Sequence, residues 1–137
     1  MEITIKKIDY YYTTVEDKHS KGYWLLEHFR QKGVKLKAFT AFPLGAGRSQ
    51  LDFVPYDAAV LVKAAAEVGT PLIGPKKAFL VQGEDEMAVL IEMHFKLSSA
   101  DINVHASNGV SDGAGRFGFI LWVKPEDYEA AVEALEA

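Results

Sequence analysis

Leu44-Gly45-Ala46-Gly47-Arg48 recurs as Asp112-Gly113-Ala114-Gly115-Arg116, and this pair of turns decides the architecture. Gly47 and Gly115 stand 68 positions apart. The same offset sets Val34, Leu36 and Ala38 against Ile102, Val104 and Ala106, Tyr11-Tyr12 against Phe79-Leu80, and Asp17 against Asp85. Beyond the turns the offset becomes 70, pairing Pro55 with Pro125 and Asp57 with Asp127. A fixed internal period marks two copies of one structural unit. Each copy takes half of a 137-residue chain, a size that buries too little surface to be robust alone. The copies are therefore expected to pack against each other or against a second chain.

The composition is that of a globular protein, 49% hydrophobic and 25% charged. A net charge of −4 argues against a partner made of phosphate backbone, which selects basic proteins. There is no cysteine, which excludes disulfides, thiol catalysis and thiolate metal sites. The start, Met1-Glu2-Ile3-Thr4-Ile5-Lys6-Lys7, lacks the apolar core of a signal peptide. No apolar run approaches the roughly 20 residues that cross a bilayer. A cytoplasmic protein with no membrane partner and no nucleic-acid partner is the expectation.

Within the first copy, Ile8 to Val15 is rich in tyrosine and threonine and reads as a strand. Gly22, Leu25, Leu26 and Phe29 then follow the i, i+3, i+4, i+7 spacing of a helix, and Gly33 stands where a left-handed residue would end it. Val34 to Phe42 alternates as a second strand, Pro43 to Gly47 is a turn, and Leu51 to Val54 is a third strand. Pro55 suits the first turn of a helix whose stripe is Ala58, Leu61, Val62 and Ala65. In the second copy the strand is Ala78 to Gly83, and the helix stripe is Leu90, Met93, His94 and Leu97. Ile102 to Ser107 and Phe117 to Val123 are strands, and Pro125 opens a helix striped by Tyr128, Ala131, Val132 and Leu135.

The unit is thus β-α-β-β-α, with Pro71 to Gly74 available as a fourth strand for the first copy. The second copy ends on its helix, and the spare strand, Ile3 to Lys6, lies at the opposite end of the chain. It is expected to fill the missing edge position, in the second copy or in a partner chain. The fold class is α+β: ferredoxin-like βαββαβ, two tandem repeats with antiparallel sheets and helices on one face. The repeats span 1–70 and 71–137, the final strand of the second being supplied by residues 2–6.

Three stretches of each copy resemble the ACT domains. The first copy reads Asp17-Lys18-His19-Ser20, Leu25-Leu26 and Gly33-Val34-Lys35-Leu36, and the second reads Asp85-Glu86-Met87-Ala88, Leu90 and Asp101-Ile102-Asn103-Val104. The whole chain is similar to a stand-alone tandem ACT protein of the bacterial type. That resemblance implies a non-catalytic, regulatory protein that binds a small molecule, an amino acid above all, works as a homodimer and acts on an enzyme partner. It also implies that ligand contacts fall on Asp17, Lys18, His19, Ser20, Asp85, Glu86, Met87 and Ala88 at the strand–helix junctions, and on Asn103 at the start of the second strand. The family's Pro-Gly is replaced by His19-Ser20 and Met87-Ala88, and its asparagine is Lys35 in the first copy. The two sites are therefore unequal, and the first junction is the favoured one.

The residues themselves leave other readings open. A helix N-terminus favours an anion, but each junction is also an ordinary capped turn. The Gly-Ala-Gly-Arg loops tempt a phosphate reading, yet they sit in hairpins, where glycine serves the turn. His19, His28, His94 and His105 show no metal-ligand spacing, and His94, on an apolar stripe, reads as an interior histidine. No metal and no cofactor is called for. A small enzyme using His19 or His105 as acid or base is the alternative of another class. Gly115-Arg116-Phe117-Gly118-Phe119-Ile120-Leu121-Trp122 also resembles the third-strand motif of RNA-recognition modules, although its aromatics equally suit a sheet surface at an interface.

Overall fold

Alternating apolar positions and paired turns produce the α+β order expected of the repeat. The structure, a computed structural model, describes residues 2–16 and 21–137. The elements are β1 (Thr4–Glu16), α1 (Lys21–Gln31), β2 (Leu36–Gly45), β3 (Arg48–Pro55), α2 (Ala58–Glu67), β4 (Ile73–Gly83), α3 (Glu86–Ser99), β5 (Ala106–Ser111), β6 (Phe117–Trp122), a 3-10 turn (Pro125–Asp127) and α4 (Tyr128–Leu135). They form two compact units, one of Asp9–Lys76 and one of Met1–Ile8 with Lys77–Ala137.

In the first unit the strand order is β2-β3-β1-β4, and in the second it is β1-β4-β6-β5. β1 and β4 are long because each serves both units in turn. Ile3–Lys6 and Ile8–Val15, read as separate strands, are therefore one strand, as are Pro71–Gly74 and Ala78–Gly83. Hairpin registers are antiparallel: Phe53 faces Tyr11 and Phe39, and Leu121 faces Phe79 and Ser107.

One core belongs to each unit. Leu25, Phe29, Leu51, Phe53, Leu61, Ala64 and Ala65 fill the first, with the Phe29 ring edge-on to Phe53 at 5.3 Å. In the second, Phe79, Val89, Met93, Leu97, Phe119, Leu121 and Leu135 pack together, and Ile3 and Ile5 lie against them. The chain's own N-terminus thus serves the second copy. Alternation explains the choice of side chains, since Ile3, just before β1, and Ile5 point one way while Thr4 and Lys6 point the other.

Several local expectations are corrected. Pro55 closes β3, and Asp57 caps α2 instead, its carboxylate accepting from the Ala59 and Val60 N–H groups at 3.0 and 3.4 Å. β5 starts at Ala106 rather than Ile102, because the chain first turns out of α3. Leu26, Val62 and His94 are exposed; α3 buries Val89, Met93 and Leu97, a face rotated from the expected stripe. The satisfied histidine is the half-buried His28, whose Nε2 donates to the Ala64 carbonyl at 2.9 Å.

The aromatics of the RNA-like stretch serve the core: Phe119 is buried and Phe117 packs beside it, so they offer no exposed stacking platform. The Gly-Ala-Gly turns hold positive φ at Gly45, Ala46, Gly47, Gly113 and Gly115, as hairpin geometry demands. Around the second turn the Asp112 carboxylate accepts from the Ala114 and Arg116 N–H groups at 2.6 and 3.1 Å. Those bonds hold the Asp112 carboxyl below its ordinary value, and they engage donors that a phosphate would need. Among the described residues no helix is long and apolar enough to cross a membrane.

Candidate functional site

Asp17, Lys18, His19 and Ser20 lie outside the described residues. The second junction is fully described. Asp85 is the N-cap of α3, and its Oδ1 accepts from the Ala88 N–H at 3.0 Å. A carboxylate at a helix N-terminus satisfies an orphan donor and complements the dipole. The Ala88 donor that would greet a ligand's carboxylate is thus already engaged by the chain itself. Glu86 and Met87 are exposed beside it.

Asn103 lies at the other end of α3. That helix has 14 residues, about 21 Å of rise, so Asn103 and the Asp85–Ala88 junction of one unit do not share a small ligand. Asn103 instead lines a cleft of about 270 Å³ with His94, Leu97, Ser98, Asp101 and Val104. The volume is close to the lower end of small-molecule sites, roughly 300–1,000 Å³.

The cleft is made by the way α3 ends. Asp101 takes a left-handed conformation, φ 59°, and the Asp101 and Ile102 N–H groups donate back to the Ser98 and Leu97 carbonyls at 3.0 and 2.9 Å. This closure satisfies the terminal carbonyls and swings Asn103 outward. His94 Nδ1 donates to the Leu90 carbonyl at 2.7 Å, which leaves Nε2 as its outward nitrogen. A helix C-terminus carries partial negative charge, and the Asp101 carboxylate adds to it. The cleft therefore favours a cationic or amine group, with the Asn103 amide able to donate and accept.

Asp101 escaped the reading of the sequence, yet a signal was there. It stands at the position of Gly33, and an aspartate replacing the expected glycine is enriched in left-handed backbone. At the equivalent place in the first copy, Lys35 and Lys37 are exposed and the Lys37 ammonium lies 5.4 Å from the Tyr56 ring centroid. The copies thus differ in charge here: Gly33 and Lys35 of the first stand where the second has Asp101 and Asn103. His105, the alternative acid or base, is exposed, and its backbone N–H donates to the Trp122 carbonyl at 2.8 Å. Among the described residues no group of three or more His, Asp or Glu side chains is placed to hold a metal ion.

A second difference between the copies is internal. Asp52, 5% exposed, stands where the second copy has Ile120. Its Oδ1 accepts from Gln50 Nε2 at 2.8 Å. Burial pushes the Asp52 carboxyl up, and burial together with the Asp52 and Tyr12 charges pushes the Tyr10 phenol up. Because the folded value lies above the unfolded one, the contribution to stability is fully present below the ordinary aspartate pKa and is lost as pH rises through the folded value. Asp52→Asn is therefore expected to be more stable than the parent at pH 7 and to match it at pH 3, as read by urea unfolding at both. An equal difference at the two pH values would assign the effect to packing rather than to charge.

The sequence matches no protein-family model and no curated relative. Solved structures do match. The ligand-free regulatory subunit of aspartate kinase from Thermus thermophilus superposes with a TM-score of 0.65 at 18% identity, over 98% of this chain and 94% of that one. The corresponding Thermus flavus subunit gives 0.62 at 18%, over 99% and 95%. A protein from Bacteroides thetaiotaomicron gives 0.81 at 12%, over 96% and 88%. At such identities the likeness is one of fold. The chain shares their α+β fold, two βαββαβ units in one polypeptide.

Proposed function

We propose that this chain is a non-catalytic cytoplasmic regulator that binds an amino acid, works as a homodimer and acts on an enzyme partner. The observation that carries the reading is the cleft at the end of α3, where Asp101, Asn103 and His94 converge on a space of metabolite size. Asp101 and the helix terminus would hold the ammonium group, while the Asn103 amide orients the ligand. Asp17, Lys18, His19 and Ser20 are proposed as a further ligand loop, its mixed charge suited to both ends of an amino acid. Asp85, Glu86, Met87 and Ala88 are the weaker proposal, given the cap that occupies their donor. The regulatory part is supported by the likeness in fold to the two Thermus proteins, which are regulatory subunits of aspartate kinase. A ligand of this kind acts by binding one arrangement of the protein better than another.

Thermal-shift measurement with single proteinogenic amino acids tests the proposal. A ligand at about 100 times its Kd adds about 2.7 kcal/mol to the folded state, which raises Tm by several degrees in a chain of this size. The shift is expected to vanish in Asp101→Ala/Asn103→Ala. Absence of any shift removes the amino-acid reading, and a shift that survives the double variant removes the cleft as its site.

A further inference from the structure

The cleft at the end of α3 is one-sided in charge, and that bears on its ligand. Its polar lining is the Asp101 carboxylate, the His94 ring, the Asn103 amide and the Ser98 hydroxyl, with apolar walls of Leu97, Ile102 and Val104. Among these described lining residues there is no lysine or arginine. The Asp101 and Ile102 N–H groups are already spent on the Ser98 and Leu97 carbonyls. A carboxylate entering the cleft would meet only the neutral Asn103 and Ser98 donors, beside the Asp101 charge and the negative end of the helix.

We infer that the cleft recognises a primary alkylammonium group and not a carboxylate, so that its preferred ligand is a short aliphatic amine. The inference rests on the reading of this cleft as a ligand site and narrows what it selects; an α-amino acid binds through its ammonium, and more weakly. Three lining side chains offer acceptors, matching the three N–H bonds of a primary ammonium: the Asp101 carboxylate, Asn103 Oδ1 and His94 Nε2. His94 Nε2 is an acceptor because Nδ1 donates to the Leu90 carbonyl at 2.7 Å. A quaternary ammonium carries the charge but none of those N–H bonds. Leu97, Ile102 and Val104 suit an alkyl stem. In an α-amino acid the carboxylate stands beside the ammonium, which sets it about 5 Å from the Asp101 carboxylate. Like charges at that range, between the limits for water and for a protein surface, cost about tenfold in affinity.

The first copy shows the reverse. At the 68-residue offset His94, Ser98, Asp101 and Asn103 correspond to Leu26, Arg30, Gly33 and Lys35. Cations stand where the second copy has a hydroxyl and an amide, and the carboxylate and imidazole have no counterpart.

Calorimetric titration of the full chain with n-pentylamine, norleucine, hexanoate and pentyltrimethylammonium near neutral pH is the test. Norleucine is pentylamine with a carboxylate beside the nitrogen, and hexanoate has the carboxylate without the ammonium. Pentylamine is expected to bind about tenfold more tightly than norleucine, and the other two not at all. Asp101→Asn keeps a residue type that tolerates left-handed backbone, so it should lose roughly tenfold or more in pentylamine affinity with unchanged circular dichroism. Asn103→Lys, at an exposed position, should lose as much by placing a cation in the cleft. Norleucine or hexanoate binding as tightly as pentylamine, or pentylamine affinity unchanged in both variants, overturns the inference. If amino acids raise Tm and pentylamine does not bind, this inference falls alone. If pentylamine binds and no amino acid does, the amino-acid reading falls alone, and if neither binds both are removed.

Discussion

Phe79→Ala is expected to cost about 3–5 kcal/mol, the range for emptying a buried aromatic site. Phe79 is fully buried, its ring stacked on Tyr128 at 5.2 Å and 18°, with Leu121 opposite it on β6. It joins β4 to α4 and β6 at once, so no single neighbour can move in to close the cavity. Total stability of an ordinary protein is about 5–15 kcal/mol, and the variant should lie close to the edge of folding. Urea unfolding followed by far-UV circular dichroism reads the loss. Phe79→Leu, which keeps most of the volume, should lose far less. A Phe79→Ala loss below about 1 kcal/mol would show that the second core is not packed as described.

The N-terminal strand should matter nearly as much. Ile3 and Ile5 lie against the second core, and a Cβ added at Gly83 would come within 3.5 Å of Ile3 Cγ1 and 3.4 Å of the Glu2 carbonyl oxygen. Complete burial of an isoleucine stabilises by about 1.5–3 kcal/mol; these two are half-buried, and aspartate at either position adds the cost of a desolvated charge. Ile3→Asp/Ile5→Asp is expected to cost about 2–4 kcal/mol on these terms. β4 amides of residues 78–83 should lose hydrogen-exchange protection as the strand beside them detaches. Lys6→Asp, one step along the same strand with its side chain exposed, should change stability by no more than about 0.5 kcal/mol. If the double variant behaved like Lys6→Asp, the N-terminus would not be part of the second unit.

Much of this architecture was legible because the repeat is written in periodic residues. Leu25 and Phe29 of α1, Leu61 and Ala65 of α2, and Ala131 and Leu135 of α4 all lie where helical spacing sets them. The turn glycines hold the positive φ that hairpins require. What misled was local ambiguity. His94 fits the apolar period of α3 as well as Val89 does, and only packing against the sheet decides which face turns inward. Pro55 suits a helix start, but the better cap, Asp57, stands two residues later and wins because its carboxylate satisfies two orphan N–H groups.

The site divides along the same line. Asn103 could be singled out by its mismatch with Lys35, and Asp85 by its place before a helix. That Asp85 would engage the Ala88 donor, and that His94, Asp101 and Asn103 would line one cleft, depends on how α3 begins and ends in three dimensions.

By itself, the sequence determined that there are two units of one design, the order of their elements, and that the copies differ at Lys35 and Asn103. Period, turn chemistry and cap residues act over a few neighbours and can be read along the chain. Only the tertiary structure decided that β1 and β4 each run through both units, that Asp52 is buried where its twin is Ile120, and which face of α3 is left bare. Those outcomes depend on which surfaces are already covered by residues distant in sequence, and burial of that kind is a property of the packed molecule.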